Sequence, residues 1–337
     1  MNAKLLLILS LSVLIIPCSC NLKKDRHDEI IIEKGKSSDS LIVLLTKRIK
    51  KEPDNDVNYF KRAKLYKEQQ KYLLAINDME KAISIQSDIF EYQNLLGELF
   101  YETGNLNAAI KAYEKSNKLN PYDDYAPQQI GRIYLIRNEA EFALAYLNEA
   151  LKIDNYNPLT FSYKALYYLQ KKDTNKAISN LQTAVSINPD FFEAYLDLGY
   201  LFSLRKDKIA LEYLNNALRI EPGNIQALYN RGVYYQNMDS FNKASEDYLE
   251  ILQQIPDHKS ANYNMGYISF LRENYEKAIT YFSKVINKMP DYKEAYYGRG
   301  LCYKELGKTE KAIKDLEKAL SLDPEDKIIA TELNKIK

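Results

Sequence analysis

The sequence predicts an all-α fold of eight stacked helical hairpins, and three observations carry that expectation. Small residues recur with a 34-residue period, large apolar residues recur around them at helical spacing, and proline recurs at the ends of the units. With only 11 Gly and 10 Pro in 337 residues, the chain lacks the turn formers of an all-β protein, which needs a turn about every eight to twelve residues. The apolar fraction of 46% is enough for a continuous core. Its aromatic share is 29 Tyr and 11 Phe with no Trp, so much of that core must be phenol.

The first segment, 1–20, opens with Lys4 and continues into an apolar run over 5–16, stopped by Pro17. The run is shorter than the roughly 20 residues of a spanning helix and has the form of a signal-peptide core. The following Pro17, Cys18, Ser19, Cys20 and Asn21 resemble a bacterial lipobox, with Ser19 as the small residue before a lipid-bearing Cys20. Pro17 and Cys18 depart from the usual Leu and small residue, and secretory cleavage after Cys20 is the alternative. The resemblance implies a multiply acylated cysteine, which anchors stably, and a place in the bacterial cell envelope, at the outer membrane facing the periplasm. Residues 21–37 are charged and aperiodic and read as a tether with a mean reach of about 25 Å. Residues 38–55 resume an apolar stripe with Leu41, Ile42 and Leu45, closed by Pro53: a capping half-repeat.

The eight repeats are 56–89, 90–123, 124–157, 158–191, 192–224, 225–258, 259–292 and 293–326, all of 34 residues except the fifth, of 33. Position 8 is Gly or Ala throughout (Ala63, Gly97, Gly131, Ala165, Gly199, Gly232, Gly266, Gly300), and position 20 is always Ala, from Ala75 to Ala312. Two helices pack closely only where small side chains occupy the crossing. Large residues fill the space around it at position 11 (Tyr66, Phe100, Tyr134) and position 24 (Met79, Tyr113, Tyr248, Phe282). Proline at position 32, as in Pro121 and Pro189, ends the second helix, and a turn is expected near position 15, where Gly104 and Gly307 stand.

This pattern resembles the tetratricopeptide repeat, a helix-turn-helix unit with Leu-Gly, Tyr, Ala, Phe and Pro at these offsets. The resemblance covers 56–326 and implies a right-handed superhelical solenoid whose concave groove binds proteins or peptides. The residue missing from the fifth repeat is expected to shorten one hairpin turn. Residues 327–337, with Ile329, Leu333 and Ile336 on one stripe, are expected to form a C-terminal capping helix.

Catalytic constellations are not found in the sequence. His27 and His258 lie far apart, no metal-ligand cluster or Gly-rich phosphate loop occurs, and no cofactor and no enzymatic activity are expected. The formal charge is +1, and without the leader 46 basic residues balance 46 acidic ones, so there is no footprint for nucleic acid. Cys302 falls on an apolar face and reads as a small buried hydrophobe.

Function is therefore expected in the groove. With positions 4, 7, 8 and 11 turned inward, positions 2, 5, 9 and 12 project about 100 to 140° away. The candidate partner-binding residues are Glu98, Tyr101, Arg132, Tyr200, Tyr229, Asn230, Tyr263, Asn264, Tyr267, Phe270 and Tyr297. Tyr229, Tyr263 and Tyr297 form a ladder one repeat apart, although Tyr at position 5 and Asn at position 6 are also ordinary consensus choices in the repeat family. Members that clamp a C-terminal carboxylate use Lys at 5 and Asn at 9, then Asn at 6, then Lys at 2 and Arg at 6. No three successive repeats here supply that set. The expected role is a membrane-anchored, non-catalytic scaffold or adaptor for other proteins; the alternative is a lipoprotein holding glycan or peptide on its tyrosine-rich half-groove.

Overall fold

The computed structural model describes residues 37–337. The leader with Cys20, and the tether up to residue 36, lie outside the described residues. Among the described residues there are eighteen α-helices and no strand. They divide into two compact units, one ending at Ser87 and one running from Asp88 to Lys337.

The first unit contains α1 (Ser38–Lys51), α2 (Asp56–Glu68) and α3 (Tyr72–Ile85). The Ser37 hydroxyl caps α1 by accepting from the Ser40 N–H, and Arg48, Lys50 and Lys51 oppose the negative end of the helix dipole. Leu45 and Ile49 of α1 are buried, as are Ala63, Ala75 and Met79 at the crossing of α2 and α3. One guanidinium ties all three helices. Arg62 donates to both carboxylate oxygens of Asp78 (2.7 and 2.6 Å) and to Thr46 Oγ1 of α1 (2.9 Å).

The second unit holds seven hairpins and a terminal helix. The hairpins are α4 (Phe90–Glu102) with α5 (Leu106–Leu119), α6 (Tyr125–Ile136) with α7 (Ala140–Ile153), α8 (Pro158–Gln170) with α9 (Thr174–Ile187), and α10 (Phe192–Leu204) with α11 (Ile209–Ile220). They continue as α12 (Ile225–Asn237) with α13 (Phe241–Gln254), α14 (Lys259–Leu271) with α15 (Tyr275–Lys288), and α16 (Lys293–Glu305) with α17 (Thr309–Leu322), closed by α18 (Lys327–Ile336).

The crossing within each hairpin is a small residue against a large one. A Cβ added to Gly97, Gly131, Gly199, Gly232 or Gly266 would lie 2.6 to 2.8 Å from the side chain of Tyr113, Leu147, Leu214, Tyr248 or Phe282. The alanine at position 20 is fully buried in every repeat. The hairpin turns share one conformation: position 15 has φ between 55 and 61° in Gln70, Asn138, Lys172, Lys206, Asp239 and Glu273, and 69 to 76° in Gly307 and Gly104. Each turn closes with the paired bonds of a Schellman motif, as where Asp173 N–H donates to Tyr168 C=O and Lys172 N–H to Leu169 C=O. Only two of these left-handed positions use the residue best suited to them.

The expected short turn of the fifth repeat is not what the missing residue produces. Four residues, 205–208, separate α10 from α11, and α11 has 12 residues where the other second helices have 14. Ala210 N–H bonds to Asp207 C=O and Leu211 N–H to Lys208 C=O, three residues back, where Ala177 in α9 reaches four back to Asp173. The first turn of α11 is thus wound tightly enough to absorb the deletion, and Ala210 still arrives at the crossing.

The triple tie of Arg62 recurs at the same repeat positions, 7 and 23. Arg231 of α12 pairs with Asp247 of α13 (2.6 Å) and reaches Asn215 of the preceding hairpin (2.9 Å). Arg299 of α16 pairs with Asp315 of α17 (2.7 Å) and reaches Ser283 of the hairpin before (3.0 Å). Lys164 occupies this slot in α8 opposite Asn180, and burial without a carboxylate partner lowers its pKa.

First helices of successive hairpins approach one another, α6 to α8, α10 to α12 and α14 to α16, whereas second helices do not come as close to each other among the described residues. The first-helix face of this unit is therefore its inner, concave side. At the C-terminal end α18, capped by the Asp326 carboxylate, covers α17 with Ile329 and Leu333.

Two outcomes follow for stability. Gly232→Ala gains about 1 kcal/mol of helix propensity, but its Cβ would meet the ring of Tyr248 at 2.7 Å, and overpacking costs about 1 to 3 kcal/mol. Tyr248 is fully buried and its hydroxyl donates to Gln236 Oε1 (3.1 Å), so it has nowhere to swing. Denaturant titration should show a lower midpoint; a higher one would mean that the crossing has slack. The second outcome concerns His258, whose Nδ1 caps α14 by accepting from Ala261 N–H (3.2 Å). Burial, then the neighbouring Lys259, lowers its pKa from 6.5. Its contribution is complete above about 6.5 and is lost as pH falls through the lower folded value, because the unfolded chain takes up a proton that the folded one resists. His258→Asn keeps a capping acceptor, as Asn157 and Asn224 do for α8 and α12. Melts at stepped pH from about 7.5 to 5.5 should show a shallower fall for this variant than for the parent; equal slopes would remove His258 from the account.

Candidate binding groove

The groove is lined by the first helices of the second unit, and its two halves differ in how their side chains are employed. In the half built by α4, α6 and α8, polar groups form two hydrogen-bonded clusters. Tyr125 OH donates to Glu98 Oε1 (2.5 Å). Arg132 lays its guanidinium 4.4 Å from the centre of the Tyr101 ring and donates from Nη2 to the Tyr101 hydroxyl (2.9 Å) and from Nη1 to Gln129 Oε1 (3.4 Å). Gln129 passes a bond to Gln128 (3.1 Å), and Gln128 donates to Thr160 Oγ1 of α8 (2.7 Å). Tyr101 and Arg132, placed in the groove from the sequence, are therefore brought together, with two buried glutamines holding their cluster in place, whereas Glu98 pairs with Tyr125.

Burial acts against the charge of Arg132, and the phenols of Tyr163, Tyr101, Tyr113 and Tyr125 more than offset it, so that its pKa is raised. Tyr113 beneath them is buried, and its hydroxyl pKa is pushed well up.

Helix α10 carries Tyr200, half-buried against the core, where burial raises its pKa. The same helix presents two carboxylates absent from the candidate residues, Glu193 at position 2 and Asp197 at position 6. Asp197 is exposed to solvent, with Glu193 one turn earlier on the same helix. Position 6 lies one turn from both 2 and 9 and shares their face, as the inclusion of Asn230 and Asn264 already implies.

In the half built by α12, α14 and α16 the tyrosine ladder braces the stack. The Tyr229 ring lies 6.1 Å from Tyr248 and 6.2 Å from His258, and the Tyr263 ring 5.7 Å from Phe282 and 5.5 Å from Tyr292. Burial raises the Tyr263 hydroxyl pKa strongly. Tyr297 is half-buried against the hydrophobic cluster under α18, and Phe270 packs 5.6 Å from Tyr275. Asn230 accepts from Gln226 (2.9 Å) at the surface. Asn264 corrects its expected exposure: it is 8% exposed and its side chain hydrogen-bonds the Tyr248 hydroxyl, so it supports the core. Tyr267, at 40%, is the most open aromatic among the expected residues.

Cys302 is completely buried and its thiol is pushed up to about 12 by that burial, which keeps it protonated. Among the described residues no group of three or more His, Cys, Asp or Glu converges as metal ligands, and no helix is long and apolar enough to cross a membrane.

Comparison with known proteins agrees with this architecture. Family models described as tetratricopeptide repeat match 60–124, 225–258, 260–287 and 294–326, and one described as TPR repeat matches 165–204. A TPR repeat-containing protein of Methanocaldococcus jannaschii is 23% identical over 244 residues, covering 69% of this chain and 43% of that protein. DnaJ homolog subfamily C member 3 of Homo sapiens is 21% identical over 255 residues, covering 70% and 50%. The chain thus spans about half the length of the curated relatives it matches. Among solved structures, pilF of Pseudomonas aeruginosa superposes with a TM-score of 0.55 at 18% identity, over 64% of this chain and 97% of that one. PilW, a type IV pilus biogenesis factor, gives 0.53 at 22%, over 62% and 98%. These likenesses show the fold. With repeat models covering more than half of its length, the chain belongs to the tetratricopeptide-repeat family of protein-interaction scaffolds.

Proposed function

We propose that this chain is a non-catalytic scaffold that captures segments of other proteins in the groove of its second unit, and that Cys20 carries lipid that anchors it in a bacterial cell envelope, at the outer membrane facing the periplasm. The observation that carries the first part is the division of labour within each repeat. Residues at positions 8, 20 and 24 are used up in packing, while the groove offers Tyr101, Arg132, Asp197 and Tyr267, which differ from repeat to repeat. Such a surface suits an extended segment with several weak contacts. The signal-like leader and Cys20 support the second part.

Holding a glycan on the tyrosine strip is the weaker reading. Stacking a sugar needs open ring faces, and Tyr229 and Tyr263 spend theirs against the next ring of the core.

A photo-crosslinking residue in place of Tyr267, activated in intact cells, should yield discrete protein adducts. Saccharide binding by the soluble body with no protein adducts would sink the scaffold reading. Cys20→Ala should move the protein from the detergent phase to the aqueous phase, and unchanged partitioning would reject the anchor.

A further inference from the structure

Three arginines of the second unit are drawn in from the surface: Arg132, Arg231 and Arg299. Arg231 and Arg299 each hold a carboxylate, of Asp247 and Asp315. Arg132 has no carboxylate at ion-pair distance among the described residues; its hydrogen-bond partners are the Tyr101 hydroxyl and Gln129. A guanidinium has five N–H donors, and only two of the bonds it can make are formed here. The Tyr101 hydroxyl accepts from Arg132 and so keeps its own proton to donate. A carboxylate arriving from the groove could take two guanidinium N–H groups and this phenol together.

Two first helices further along, Asp197 of α10 has the opposite need. It is open to solvent, with no hydrogen bond or ion pair to a described residue, and Glu193 one turn earlier deepens the negative potential around it. With each step between successive first helices taken at the upper end of the packing distance, about 10 Å, α6 and α10 lie about 20 Å apart. That is beyond the screening length of about 8 to 10 Å, so the two charges do not neutralise each other. An extended chain rises about 3.3 Å per residue and covers the gap in about five or six residues.

We propose that the groove takes an extended peptide segment with an acidic side chain seated on Arg132 and Tyr101 and a basic side chain, about five or six residues away, seated on Asp197 and Glu193. This deepens the scaffold reading and rests on it, by stating the charge pattern of the segment bound. The geometry differs from a terminal-carboxylate clamp because the acidic group is internal and the second anchor is negative.

Random peptides displayed on phage, selected on the soluble body, test it. Enriched sequences should carry an acidic and a basic residue at this spacing. Arg132→Gln and Asp197→Asn should each weaken binding of a synthetic selected peptide about tenfold, the loss expected for one charge-assisted contact. Asp197→Lys should transfer preference to a peptide with its basic residue changed to Glu. Circular dichroism on every variant checks that the helices are intact, and Asp197→Asn, at a solvent-open position, tests the proposal even if Arg132→Gln unfolds. Enrichment without the charge pair, or selected peptides indifferent to both substitutions, overturns this inference and leaves the scaffold reading standing. No enrichment of any peptide, with no adducts from the Tyr267 crosslinker, overturns both.

Discussion

Everything in the second unit depends on how closely two helices can approach at one point. Where a glycine at position 8 lets a ring or branched side chain from position 24 lie on the bare backbone, that side chain loses all contact with water, as Tyr248 and Leu147 do. Close approach then sets the splay of the hairpin, which sets how the next hairpin docks. Because the same contact recurs in each repeat, small errors would accumulate along the stack, and this is why position 20 admits nothing larger than Ala. The stability of such an array is the sum of hairpins and of their nearest-neighbour interfaces.

A second class of contact works on top of this. The guanidinium groups of Arg62, Arg231 and Arg299 each tie a hairpin together and also touch the helix before it. Their carboxylates are among the few buried acids, and a buried charge is tolerable only when it is this fully paired. Arg132 stands outside that arrangement, in a nest of phenols rather than carboxylates. The contrast is between arginines that complete the fold and one whose remaining donors are uncommitted.

The fold was legible because helix crossings demand small residues at a fixed period, and a period survives in sequence whatever the surface does. Depth and curvature were not legible. Asp247 and Asp315 look like any other charge on a helix until the Arg sixteen residues earlier is seen to share a slot with them, a pairing that the position 7 and 23 identities do encode. Asn264 was placed on the groove because a wheel gives direction and not depth; a neighbouring tyrosine hydroxyl draws it under. Asp197 shares position 6 with Asn230 and Asn264 but, as a lone charge on a helix, carries no consensus mark of the groove. The turn near position 15 is expected in every unit, but its left-handed conformation at Lys172 and Glu273 shows in the sequence only where the position is Gly.

The tightened start of α11 has a consequence for how this chain can change over generations. A residue lost from the middle of a helix rotates everything beyond it by about 100° and would turn the packing face away. A residue lost where a turn enters a helix is taken up by shorter-range bonds, as Ala210 and Leu211 show. Length variation among copies of such a repeat is thus channelled to one junction per unit, and the boundary between turn and second helix is where the array can gain or lose residues while its inner surface keeps its register.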